Sequence, residues 1–249
     1  MLKIIKTEFV KLKRFSIIWV GIAAMLACVL LTRFMATASD GVNHTLAQFA
    51  NEVMWNNFGL IFPTTIALIA GYLIERERTD DTMKNISAIP ISFKKLLLGK
   101  ICALVAICVA LSVIEFIFMV LTVLLSGYPI QSFMDLPKSL FQMAGMNLLV
   151  FVAVLPVILL TCQRSGGFVN GVIFAFFYGF VGIFAAGHNL ENFYPVTAGL
   201  GLINYQGDEG LVYNKPINLL IIMLLVTLSI LFIAGAKNRT DRKPKKDKK

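Results

Sequence analysis

Charge is scarce in this chain. Asp, Glu, Lys and Arg make up 15% of its 249 residues, against about 25% in ordinary globular proteins, while 57% are hydrophobic. A soluble fold of this size has too little interior for that much apolar surface. Histidine is nearly missing as well: His44 and His188 are the only two, and no H-E-x-x-H pair exists to hold a catalytic zinc. The four cysteines (Cys28, Cys102, Cys108 and Cys162) all lie in or at the end of apolar runs, without C-x-x-C spacing, which argues against a disulfide framework or a metal clip. No G-x-x-x-x-G-K-[ST] phosphate loop occurs, so the chain cannot bind ATP in the P-loop manner. A G-x-S-x-G elbow is also absent, and Ser165-Gly166-Gly167 reads better as a helix start. A membrane-embedded enzyme would need a catalytic pair, and none is found.

What is present is apolar sequence in long runs. Six are long enough to cross a bilayer, about 17 to 25 residues each: near 16–32, 57–74, 101–125, 139–161, 166–187 and 217–236. Long uninterrupted runs suit helices, whereas barrels need short alternating strands. The expected fold is all-α integral membrane, one transmembrane domain over 1–236 with a basic tail at 237–249. Pro63 is placed to kink the second span. The first run has a rival reading as a signal peptide, with Ala36-Thr37-Ala38 as a small-residue cleavage site. Its length and Arg33 favour an uncleaved anchor.

The formal charge of +9 could mean a nucleic-acid partner, so its placement matters. Of the 23 Lys and Arg, twenty fall in 1–15, 75–100, 162–165 and 237–249, and the other three are Arg33, Lys138 and Lys215. With six spans, those twenty share one side, and the positive-inside rule makes that side, with both termini, cytoplasmic. The tail then reads as an orientation and lipid-headgroup signal. Nothing aromatic is interleaved with its charges, as a nucleic-acid binder would need.

Two cytoplasmic segments stand out. In residues 2–14, Leu2, Ile5, Phe9 and Leu12 recur at helical spacing among Lys3, Lys6, Lys11, Lys13 and Arg14, the pattern of an interfacial helix. The alternative is a plain basic leader. The loop at 75–95 is too charged for membrane and too long for a tight connector. Thr79 or Asp80 can cap a short helix in which Met83 and Ile86 share a face, with Ile89 close by, and Pro90 stops it. Ser92 is an N-cap candidate for the third span. A short helix with a charged rim and exposed apolar residues suits docking to a cytoplasmic partner, and an ordinary solvated loop fits equally well.

This loop resembles that of ABC-2 type transporter permeases. The matching positions are Glu75, Arg76, Glu77, Thr82, Lys84, Ile86, Pro90, Ile91, Ser92 and Lys95, and the leader "KTEFVKLKR" at 6–14 is similar too. The family's usual glycine in the loop is replaced by Asp81. In size and style the chain is most similar to permeases of lantibiotic and peptide-antibiotic immunity transporters. The resemblance implies a six-helix permease of the bacterial plasma membrane that pairs with a second permease, identical or related. Its loop, with Met83 and Ile89 among the contacts, would seat two copies of a cytoplasmic ATPase. The chain itself would bind no cofactor, and ATP and Mg²⁺ would sit on that ATPase. The implied activity is ATP-driven export of an antimicrobial peptide. Export of another hydrophobic drug or lipid-linked substrate, or a sensor or scaffold that recruits an ATPase without translocating anything, would share the same loop.

Inside the spans, Glu115 is the only acidic residue, with Ser112 one turn before it and Asn147 at similar depth as a candidate partner. An intramembrane carboxylate marks a pathway or switch residue by default, with interhelical glue as the alternative. Gly167, Gly171, Ala175 and Gly179 place a small residue at every fourth position of the fifth span, which permits close helix approach. A second permease is the favoured neighbour for this stripe, ahead of a helix of the same chain. The outer segment 188–215 is acidic through Glu191, Asp208 and Glu209 and aromatic through Phe193, Tyr194, Tyr205 and Tyr213. It suits either a cationic amphipathic peptide or a simple interfacial belt.

Overall fold

The computed structural model describes residues 2–12, 16–38, 44–79, 92–161, 167–188, 190–207 and 212–236, without the side chains of 2–5, 12 and 76–79. Every regular element among them is helical. In chain order they are α1 (Leu2–Leu12), α2 (Ile17–Ala38), α3 (Leu46–Asn56), a π-helical turn (Asn57–Ile61), α4 (Phe62–Thr79), α5 (Phe93–Ser126), α6 (Asp135–Thr161), α7 (Phe168–Ala186), α8 (Pro195–Leu202) and α9 (Lys215–Gly235). Six stretches are long and apolar enough to cross a membrane: α2, Leu46–Glu75, α5, α6, α7 and α9. The short helices α1 and α8 pack at opposite ends of this bundle, α1 on α5 and α8 against α6, α7 and α9.

The second span begins well before residue 57, where its apolar run begins. Gln48, Asn51, Glu52 and Asn56 break the hydrophobic run, but Leu46, Phe49, Ala50, Val53 and Met54 recur on one face of α3 and are buried, as an amphipathic helix requires. Thr45 and Gln48 close its start as a reciprocal capping box. The ladder then shifts: Phe62 N–H reaches back to the carbonyl of Asn57, and Pro63 follows with no N–H to give. The third span also starts early, at Phe93, with Ser92 as the expected N-cap residue although its side chain makes no capping bond. Gly127, at φ 69°, ends α5. Its N–H bonds to Leu124 O at 3.3 Å and Tyr128 N–H to Val123 O at 3.1 Å, the paired bonds of a Schellman stop.

The core runs through Met25, Phe49, Phe58, Phe62, Leu104, Leu111, Met119 and Phe151, all essentially inaccessible. Large apolar side chains on the outward faces, such as Trp19 and Phe34 on α2, Phe174, Phe177 and Phe184 on α7 and Leu231 on α9, are exposed, as lipid-facing positions are. The small-residue stripe of α7 does not join them. Gly171, Ala175 and Gly179 are buried, and α7 lies along α4. A Cβ on Gly179 would collide with the carbonyl oxygen of Gly59, and one on Gly171 with the Thr161 hydroxyl. From the other side, a Cβ on Gly71 would come within 2.8 Å of Phe168. Of the stripe Gly167, Gly171, Ala175 and Gly179, expected to meet a second permease, Gly171 and Gly179 lie against helices of this same chain. The stripe is filled by this chain's own helices, because only glycine lets α7 approach the π turn of the second span so closely.

This approach gives a test. Gly179→Ala should cost about 1 to 3 kcal/mol by overpacking, read as a lower unfolding midpoint in detergent. Gly235→Ala, where a Cβ meets nothing within 4 Å, should leave the midpoint unchanged.

Candidate functional site

The polar residues inside the bundle form one chain of hydrogen bonds. Asn57, at the start of the π turn, donates through Nδ2 to Asn147 Oδ1 at 3.1 Å. The Asn147 amide donates in turn to Ser112 Oγ at 2.9 Å and to Glu115 Oε2 at 3.0 Å. The Ser112 hydroxyl passes its proton side to the Cys108 carbonyl at 2.8 Å. All four side chains have zero exposure, and the Asn57 amide lies 4.0 Å from Met25 Sδ on α2. The network thus joins α5, α6 and the second span, and it touches α2. The expected pairing of Glu115 with Asn147 is present.

Its polarity runs one way. From Asn57 through Asn147 the donors run towards Glu115 and the Cys108 carbonyl, Asn57 also donates to Met25 Sδ, and Asn147 uses both its donors and its acceptor. Two oxygens at the ends, Asn57 Oδ1 and Glu115 Oε1, have no hydrogen-bond partner among the described residues. A buried acceptor left without a donor costs about 1 to 3 kcal/mol. Asn57 escaped the sequence reading because it sat at the edge of an apolar run. The adjacent Asn56-Asn57 pair, at the start of a span, was the signal that could have shown it.

A second polar cluster closes the end of the bundle that carries α1. Lys100 Nζ lies 3.2 Å from Glu8 Oε2 and donates at 2.9 Å to the Leu73 carbonyl, and Lys11 Nζ is 2.9 Å from Glu8 Oε1. Glu8 and Lys100 are buried, so α1, α4 and α5 are tied by an ion pair out of solvent. Glu8 is the single acid in an otherwise basic leader, which is its only trace in the sequence.

Of the expected ATPase-coupling residues, Glu75 follows Leu73 by two positions on α4. Its Oε2 accepts from the Phe168 N–H at 3.4 Å, where a carboxylate meets the positive start of α7. Arg76 and Glu77 continue α4 to Thr79, and Ser92 begins α5. Thr82, Met83, Lys84, Ile86, Ile89 and Pro90 lie outside the described residues, as does the tail 237–249. Among the described residues, no group of three or more His, Cys, Asp or Glu side chains is placed to hold a metal.

The buried ion pair makes a quantitative expectation. Lys100→Met leaves Glu8 inside with one cation fewer and should cost about 3 to 5 kcal/mol of stability in detergent unfolding, the usual penalty for breaking such a pair. Adding Glu8→Leu should restore most of it. An additive double mutant would show that the two side chains are not coupled.

A family model described as "ABC-2 family transporter protein" matches residues 4–182. No curated protein and no solved structure matches the chain.

Proposed function

Because the chain belongs to the ABC-2 family of transporter proteins, we propose that it is the permease of an ATP-driven exporter that expels a lantibiotic or similar antimicrobial peptide for self-protection. ABC-2 membrane proteins act with an ABC ATPase, and six apolar helices make this one a multi-pass membrane protein. The observation that carries the export reading is the fully buried chain Asn57–Asn147–Glu115 with its two unpartnered oxygens. Polar groups of this kind inside a bundle mark pathways and switches. They provide an internal step for a polar cargo, and a hydrogen-bond pattern that can differ between two states of the helices.

In this reading the end bearing α1 and most of the Lys and Arg faces the cytoplasm of a bacterium. Two copies of a separate ATPase, which hold the ATP and Mg²⁺, dock on the segment between Glu75 and Ser92. That segment opens from α4 and returns into α5, the two helices that Lys100 clasps through the Leu73 carbonyl. A second permease, identical or related, completes the pathway. It pairs through a face other than the α7 stripe, where Gly171 and Gly179 already meet α6, the π turn and Pro63 of α4.

Two measurements test this. Glu115→Gln should lower ATP-dependent peptide export from cells by about tenfold or more, the rate equivalent of ~1.4 kcal/mol, at an unchanged level in the membrane. Undiminished export would reduce the network to interhelical glue. Changing Met83 and Ile86 together to Glu should abolish co-purification of the ATPase. A retained complex would move the docking site elsewhere.

A further inference from the structure

At the end of the bundle that carries α1, burial sorts the charges of the leader by direction. Glu8 is the only acid in residues 1–15. It is buried, and its carboxylate is occupied by Lys100 at 3.2 Å and by Lys11 at 2.9 Å. Lys6, Thr7, Phe9 and Val10 are exposed instead, Phe9 at 42% and Val10 at 55%. Phe9 and Val10 lie three and four positions after Lys6, so the three share one side of the helix. The acid that would have neutralised this outer side is turned inward.

The start of α5 extends the same surface. Helix α1 packs on α5. Lys94 and Lys95 are exposed in the first turn of α5, roughly 7.5 to 9 Å along the axis from Lys100. Residues 92–100 contain no acid. Lys11 and Lys100 are engaged by Glu8, whereas Lys6, Lys94 and Lys95 have no ion-pair partner among the described residues. The exposed charge described on these two elements is therefore of one sign, and exposed apolar side chains lie within it.

That combination selects an occupant. An acidic soluble protein would meet the lysines, but α1 sits at the end of six membrane-spanning helices, where lipid is the neighbour already present. An apolar side on such a helix enters the acyl boundary, and lysine stems reach from there to the phosphates. A zwitterionic headgroup carries its own cation beside its phosphate. An anionic headgroup such as phosphatidylglycerol carries none and takes an ammonium as counter-ion. Lysine supplies it as a mobile point charge, without the fixed fork of a guanidinium.

We propose that α1 and the first turn of α5 form a docking surface for anionic phospholipid, with Phe9 and Val10 at the acyl boundary and Lys6, Lys94 and Lys95 at the phosphates. The buried side of α1 holds Lys100 through Glu8, and Lys100 holds the Leu73 carbonyl. Lipid bound on the outer side thus keeps α1 seated on the two helices that Lys100 joins. Nothing in this depends on what the protein moves.

The test is amide hydrogen exchange of Leu2–Leu12 in the purified full chain, in nanodiscs of phosphatidylcholine alone or mixed with phosphatidylglycerol. Phosphatidylglycerol should slow exchange of α1 by about tenfold or more, the order expected when several lysines meet an anionic surface. High salt should shrink the difference. The combined variant Lys6→Gln, Lys94→Gln and Lys95→Gln should remove most of it, and Lys6→Gln alone should reduce it in the same direction if the combined variant folds badly. Lys138→Gln, an exposed lysine outside both elements, should leave the effect intact. Equal exchange of α1 in the two lipids, an undiminished effect in the lysine variants, or an equal loss in Lys138→Gln would overturn the proposal.

Discussion

A polar side chain held in hydrocarbon has to find its partners within the protein, and Asn147 is where this chain concentrates that demand. Apolar contacts between membrane helices are nearly indifferent to rotation, since lipid tails offer the same contacts. Hydrogen bonds are directional. By engaging Asn57, Ser112 and Glu115 at once, Asn147 sets the rotation of α6 against α5 and against the π turn. The π turn itself follows from Pro63 and from the tight seat of Gly179 on Gly59. Sterics and hydrogen bonding thus select the same arrangement at the same depth.

The two ends of the bundle solve a related problem in opposite ways. Near α1, the buried Lys100 is matched by Glu8 and by a backbone carbonyl, so the junction is closed and stiff. Glu75 adds a tie to the start of α7. Glu8, Lys100 and Glu75 thus tie α1, α4, α5 and α7 to one another. At the far end, Glu191 Oε2, the Tyr213 hydroxyl and the Asn218 amide have no hydrogen-bond partner among the described residues. The centre, with Asn57 Oδ1 and Glu115 Oε1 bare, lies between these extremes.

Much of this was legible in the residues, and the exceptions have physical reasons. Run length and charge placement disclosed the six helices, because the bilayer thickness fixes a minimum apolar length. The Glu115–Asn147 pair could be read because polar residues are rare enough in spans to find each other by depth. Helix α3 could not be seen by run length, since its polar residues share one face while its apolar ones make the contacts. Glu8 and Lys100 are 92 positions apart and lie in basic stretches, so nothing local distinguishes a buried lysine from one at a lipid surface. The stripe on α7 was evident as a stripe, but small residues state only that something comes close. Which helix comes close depends on the tertiary arrangement, and it is α4 that lies along α7.

The length of α5 has a mechanical consequence. Its 34 residues extend ~51 Å at 1.5 Å per residue, well beyond a hydrocarbon core of about 30 Å. Glu115 is held near the opposite third of the helix, so roughly 33 Å of rod separates that fulcrum from Phe93. A tilt of about 10° around the polar network would carry the Lys94–Lys95 end through roughly 6 Å while moving the atoms near Glu115 by very little. The Lys100 clasp near that end, with α1 and α4, is therefore placed where it resists such a tilt with the most leverage.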